Sequence, residues 1–125
     1  MGSTPMGHEM HMGDDNILRV KFRGDFDQAD VEAYLADFQP IIESATDTIH
    51  FLVDVSEVGK ASAGARRLFG DMFSDPHPLT GKSALIGASR YIRVVAGFVM
   101  RVTGARNMRL FESEKEAVAW LKSGD

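Results

Sequence analysis

The nine residues Thr48-Ile49-His50-Phe51-Leu52-Val53-Asp54-Val55-Ser56 restrict the fold more than any other stretch of the chain. Five of them are Ile, Phe, Leu or Val, and these fall on both parities of an extended segment. A strand covered on one face alternates apolar and polar residues. Apolar residues on both parities need cover on both faces, as on an inner strand of a parallel α/β sheet. The run leaves through Asp54-Val55-Ser56, a polar exit at the carboxyl end of a strand, where open α/β sheets usually carry their sites. Asp54 and Ser56 are therefore candidate contact residues, with a polar turn as the plainer reading.

Elements on either side follow from periodicity and end signals. His8 to Met12 reads as a short first strand, and Gly13-Asp14-Asp15-Asn16 is turn chemistry. Ile17 to Arg23 alternates, with Leu18, Val20 and Phe22 facing one way and Arg19, Lys21 and Arg23 the other, so the chain opens on a hairpin. Asp27 caps a first helix, Phe26 can staple to Val31, and Asp30 suits the positive end of the dipole. Val31, Tyr34, Leu35, Phe38, Ile41 and Ile42 recur at helical spacing, and Pro40 among them predicts a kink or a fresh start.

After the central strand and Glu57-Val58-Gly59-Lys60, a second helix is expected from about Ser62. Ala65, Leu68, Phe69, Met72 and Phe73 form its buried face, and Asp75-Pro76 is its stop. His77 to Gly81 reads as a loop, Lys82 to Ala88 as another inner strand, and Ser89 as the cap of a third helix, Arg90 to Thr103, ended by Gly104. Asn107 to Phe111 is a last strand. Ser113-Glu114-Lys115-Glu116 is a capping box opening the final helix. The order β-β-α-β-α-β-α-β-α predicts an α/β fold, with a mixed sheet of about five strands, an N-terminal β-hairpin and four helices.

Carried by that order, the opening hairpin, Ile49 to Ser56, the apolar third helix and the ending Leu110 to Leu121, the chain resembles the STAS domain family, the fold of bacterial anti-sigma-factor antagonists. Its small stand-alone SpoIIAA-like (STAS/SEC14-type) members are the most similar. Met1 to Gly7 then reads as a disordered N-terminus or a cloning remnant, and residues 8–125 as a single STAS-like domain. The resemblance implies a non-catalytic regulatory or interaction module acting through protein–protein contacts. Its SEC14 side implies a small apolar or lipid-like ligand bound or carried between the third helix and the sheet. STAS antagonists carry a phosphorylated serine in an Asp-Ser-Ser-Gly box that opens the second helix. Here the box reads Ala61-Ser62-Ala63-Gly64, with no aspartate and one residue less of spacing, and Ser62 is the counterpart.

The third helix carries the strongest functional hint. Arg90, Arg93 and Arg101 fall in one narrow stripe, and nearly all the rest is apolar, about twice the arc of an ordinary surface helix. Either most of that arc is buried inside the monomer, or Phe98, Met100 and Val102 (or Ile92 and Val99) remain as a patch for a protein partner, a second copy, an apolar ligand or a membrane surface. Beside such a patch the three arginines suit an anionic headgroup.

Other chemistry is thin. The chain has 125 residues, a formal charge of −4 and no cysteine, which excludes disulfides, thiolate metal sites and a thiol nucleophile and argues against nucleic acid. No apolar run reaches the ~18 residues of a membrane span, the N-terminus lacks a signal-peptide core, and a cytoplasmic protein without a cofactor is expected. His8 and His11 point to opposite sides of a strand, which disfavours a metal. His50 reads as a satisfied core histidine, and a hydrolase built on His50, Asp54 and Ser56 is the least favoured reading.

Overall fold

The computed structural model describes residues 7–74, 77–104 and 107–123. Nine elements follow in the expected order: β1 (Gly7–Met12), β2 (Ile17–Phe26), α1 (Gln28–Glu43), β3 (Ile49–Ala61), α2 (Ala63–Ser74), β4 (Thr80–Ile86), α3 (Arg90–Thr103), β5 (Met108–Phe111) and α4 (Glu114–Lys122). The five strands lie in the sheet in sequence order. The β1–β2 hairpin is antiparallel and every later neighbour is parallel, so the sheet is mixed as expected. Gly7, expected in the unstructured N-terminus, already pairs with Arg23. Among the described residues no helix is long and apolar enough to cross a membrane.

β3 is the middle strand and is covered on both faces. Its neighbours Phe51 and Leu52 point to opposite sides, yet are only 5% and 4% exposed. Phe51 and Val55 join Leu18, Val20 and Phe22 of β2 under α1, α2 and the start of α3. Leu52 joins Ile17, Ala84, Ala117 and Leu121 under α4. Leu85, Ala96 and Met108 form a third cluster beside Val53, below α3. Three helices thus share one face, and α4 alone covers part of the other. The uncovered part carries paired charges: Lys21 to Glu57 at 2.7 Å, Arg23 to Glu9 and Glu57, and Arg19 to Asp15 at 3.2 Å. The Lys21 ammonium beside Glu57 holds its carboxyl below the usual range.

Three expectations need correction. β3 does not exit at Asp54-Val55-Ser56; it runs on to Ala61, and β2 runs on past Arg23 to Phe26. Two register shifts let it do so, with one extra β3 residue between the Lys21–Asp54 and Arg23–Glu57 pairs, and another between Gly24–Val58 and Phe26–Ala61. A bulge leaves a backbone N–H without a ladder partner. Here an aspartate takes each: Ser56 N–H donates to Asp54 Oδ1 at 2.9 Å, and Lys60 N–H donates to Asp25 Oδ1 at 2.8 Å. Second, Pro40 starts no new helix, and α1 continues through it to Glu43. Third, β4 begins at Thr80 within the expected loop and ends at Ile86, with Gly87 turning at φ +76°.

The helix starts are as expected. Asp27 and Asp30 form a reciprocal capping box on α1, and Ser89 and Ser113 cap α3 and α4. Leu68, Phe69 and Met72 of α2 pack against the core, while the Phe73 side chain and the stop at Asp75-Pro76 lie outside the described residues.

Candidate functional site

The carboxyl end of β3 meets the amino ends of α2 and α3. Ser62 caps α2: its Oγ accepts from Ala65 N–H at 3.1 Å, its carbonyl accepts from Arg66 N–H at 3.0 Å, and its side chain is exposed. Tyr91, counted among the apolar residues of α3 in the sequence, locks the two helix starts together. Its Oη donates to Ala61 O at 3.0 Å and accepts from Ala61 N–H at 3.2 Å. Arg66 Nη1 donates to the same carbonyl at 2.7 Å and to Tyr91 Oη at 3.3 Å. No local pattern could have found this lock, because its members lie up to 30 positions apart.

Asp54 and Ser56 do not form a free strand end. They form the first bulge, where Ser56 Oγ donates to Asp54 Oδ1 at 2.6 Å, and Gly87 abuts Ser56. His50 sits on the same strand, roughly 13 Å from Asp54 by strand rise, so His50, Asp54 and Ser56 do not converge into a catalytic triad. Its Nδ1 accepts from Lys82 N–H at 2.9 Å, which requires the neutral ring. Burial, and then the Lys82 charge, hold the imidazole below its ordinary value of 6.5. The unfolded chain therefore takes up this proton first, so the stability contribution is complete above pH 6.5 and erodes as pH falls below it. His50→Gln, which keeps an acceptor, should show a smaller fall in urea midpoint from pH 7.5 to 5.5 than the wild type. An equal fall would show that His50 carries no acid sensitivity. His8 and His11 do part company, His8 bonding Asp37 on α1 at 2.7 Å and His11 lying on the opposite side.

α3 has two apolar sides. Ile92 and Val99 are buried, Ala96 with them, and Met100 packs on the Leu85–Ala96–Met108 cluster. Outward, Phe98 is 58% and Val94 66% exposed, with Tyr91 beside them and the exposed Arg90, Arg93 and Arg101 around them. Arg93 Nε donates to Ala88 O at 3.3 Å. The Val102 side chain lies outside the described residues. Val94 lies outside the expected patch, although at about 40° from Arg90 around the helix it shares the arginines' outward side.

Between α1, α2, α3 and the sheet lies a hollow of about 510 Å³. Phe22, Phe38 and Phe51, Met72, Ile92 and Val99 are among its walls, and its ionisable members include the exposed Glu43 and Asp71.

Comparison with known proteins places this geometry. A family model described as SpoIIAA-like matches residues 17–122. No curated protein matches the chain. Among solved structures, an uncharacterized DUF3478-family protein with a SpoIIAA-like fold from Shewanella loihica aligns with a TM-score of 0.70 at 18% identity, over 97% of this chain and 98% of that one. The anti-sigma factor antagonist SpoIIAA in its unphosphorylated form aligns at 0.69 and 15% identity, over 94% and 99%. An anti-sigma factor antagonist from Mycobacterium paratuberculosis aligns at 0.68 and 13%, over 94% and 95%. At these identities the structural likenesses show the fold.

Proposed function

The chain belongs to the SpoIIAA-like family, and from that premise we propose that it is a non-catalytic regulatory module acting by protein–protein contact through the start of α2 and the outer side of α3. The observation that carries this is the exposure of Phe98 and Val94, one turn apart on α3. Large apolar side chains held out in water beside an arginine-rich rim have the composition of an interface centre. Ser62 and the Tyr91–Arg66–Ala61 lock give that patch a rigid polar border. The anti-sigma factor antagonists among the fold neighbours support a regulatory role of this kind.

Phe98→Asp tests it. An exposed position should change stability by less than about 0.5 kcal/mol. Native mass spectra of wild type and variant, each taken from the protein's own host, should show a protein partner or second copy with the first and none with the second. Identical spectra overturn the reading.

The hollow supports a second reading, the binding or carrying of a small apolar or lipid-like ligand between α3 and the sheet. Ligand sites run from roughly 300 to 1,000 Å³ with mainly apolar walls, and this hollow lies in that range. Ala96, 6% exposed and lining the space, is the position to fill. Ala96→Leu should raise the stability of the empty protein by about 1 kcal/mol and abolish the rise in melting temperature given by an added long-chain alcohol. A variant that still responds to the alcohol would remove the hollow as the binding site.

A further inference from the structure

Two hydroxyls in the walls of this hollow lack what buried polar groups normally have. Ser83 is the one buried polar side chain among the described residues, 5% exposed, and its backbone N–H donates to Asn107 O. Tyr34 is 4% exposed, and its ring is wedged against Phe22 and Phe38. Both line the hollow, and neither side-chain oxygen has a hydrogen-bond partner among the described residues. Neither is sealed off, since each oxygen retains accessible surface.

A hydroxyl in an apolar wall that has no protein partner but keeps accessible surface is left to pair with whatever fills the space beside it, water or a ligand. Ser83 is on β4 and Tyr34 lies above β2, so two strand spacings, about 10 Å, separate them across the sheet. Besides Tyr34, the described ionisable residues lining the hollow are Glu43, Arg66, Asp71 and His77, and His77 Nδ1 accepts from Leu79 N–H at 3.1 Å. Glu43 and Asp71 are exposed, and the Arg66 guanidinium is engaged with Ala61 and Tyr91. Burial alone pushes the Tyr34 phenol up, which marks the surroundings as hostile to charge.

We propose that the ligand of the hollow is an elongated apolar molecule carrying an uncharged oxygen function, a hydroxyl or carbonyl, anchored by Ser83 and, further along the space, by Tyr34. This rests on the ligand-binding reading above. Pure hydrocarbons would leave both hydroxyls unpaired. A carboxylate would enter past the exposed Glu43 and Asp71 and would have to draw Arg66 away from Ala61 and Tyr91 to be paired. A neutral alcohol or ketone can satisfy the hydroxyls without either cost.

The test is competition for the hollow against N-phenyl-1-naphthylamine, a neutral fluorescent probe, using 1-decanol, 2-decanone, decanoate and 1-chlorodecane. Decanol and decanone should bind wild type, and decanoate should compete poorly. Ser83→Ala should weaken decanol roughly five- to tenfold, the worth of one hydrogen bond, and leave chlorodecane unchanged. Adding Tyr34→Phe should erase what remains of the preference. The empty Ser83→Ala protein should melt at the wild-type temperature or higher, because it loses only an unpaired hydroxyl. A lower melting temperature would place a partner for Ser83 within the fold and overturn the proposal. So would equal weakening of decanol and chlorodecane, with ligand binding itself left standing. If wild type binds neither the probe nor any of the four, the ligand-binding reading falls and takes the anchors with it.

Discussion

Leu121→Ala is expected to cost about 3–4 kcal/mol, read as a shift in urea midpoint at unchanged slope. Among the described residues α4 is the only helix on its side of the sheet, and Leu121, 1% exposed, is the largest buried residue that it contributes. The space left behind would be walled by the buried Ile17, Leu52, Ala84 and Ala117, with the partly buried Ile86, Phe111, Val118 and Trp120 packed against them. The helix end is also fixed. Lys82 Nζ donates to Trp120 O, Ser123 O and Ser123 Oγ, each at 2.9 Å, placing a cation on the carbonyls at the negative end of the dipole. Lys82 and Arg109 both lie near the Trp120 ring. So anchored, α4 cannot slide to close the gap. The contrasting substitution is Met72→Ala on α2. Its side chain borders the hollow and is already short of neighbours on one side, so about 1 kcal/mol should be lost. Equal losses at the two positions would mean that the α1–α3 layer packs as tightly as the α4 layer, and that no hollow persists in solution.

That asymmetry between the two layers bears on what the sequence could disclose. Phe51 and Leu52 side by side announce cover on both faces of β3, because adjacent strand residues point oppositely. Nothing in that pattern says that three helices share one face while a single helix serves the other. The length of β3 was hidden for a local reason. Glu57 and Lys60 look like a strand's exit, and only aspartates accepting the bulged N–H groups allow pairing to continue. Asp54 lies two residues from the group it satisfies, but Asp25 lies 35 positions from its own. Helix caps were legible because they are local chemistry within four residues. On α3, both faces being apolar made the inward side ambiguous, although the arginines marked the outward one and Val94 lies among them. Tyr91 looked apolar because its hydroxyl finds its partners on β3 and α2, 25 to 30 positions away. The hollow itself is a shortage of atoms between helices and sheet, and no residue pattern encodes a shortage.

Gly87→Ala is expected to cost about 3–4 kcal/mol and to disturb the proposed contact face as well as the fold. Two effects add. Gly87 has φ +76°, where a Cβ crowds the backbone at a cost of about 1–2 kcal/mol. The new Cβ would also stand 2.6 Å from Ser56 Cβ, 3.0 Å from its Cα and 3.1 Å from its N, so strand backbone must give way, typically at a further 1–3 kcal/mol or about that. Gly104 separates the two. It has φ +70° and, among the described residues, nothing within 4 Å of an added Cβ, so Gly104→Ala should show the backbone effect alone, about 1–2 kcal/mol. The excess at Gly87 measures how closely the β4–α3 turn presses on the β3 bulge. That pressing fixes where α3 begins, and with it where Tyr91 reaches Ala61. Gly87→Ala should therefore also weaken whatever complex Phe98→Asp abolishes, although it leaves the apolar patch itself untouched. Equal costs at Gly87 and Gly104 would mean that the bulge and the turn are apart in solution. The starts of α2 and α3 would then lack the rigid frame on which a shared contact surface depends.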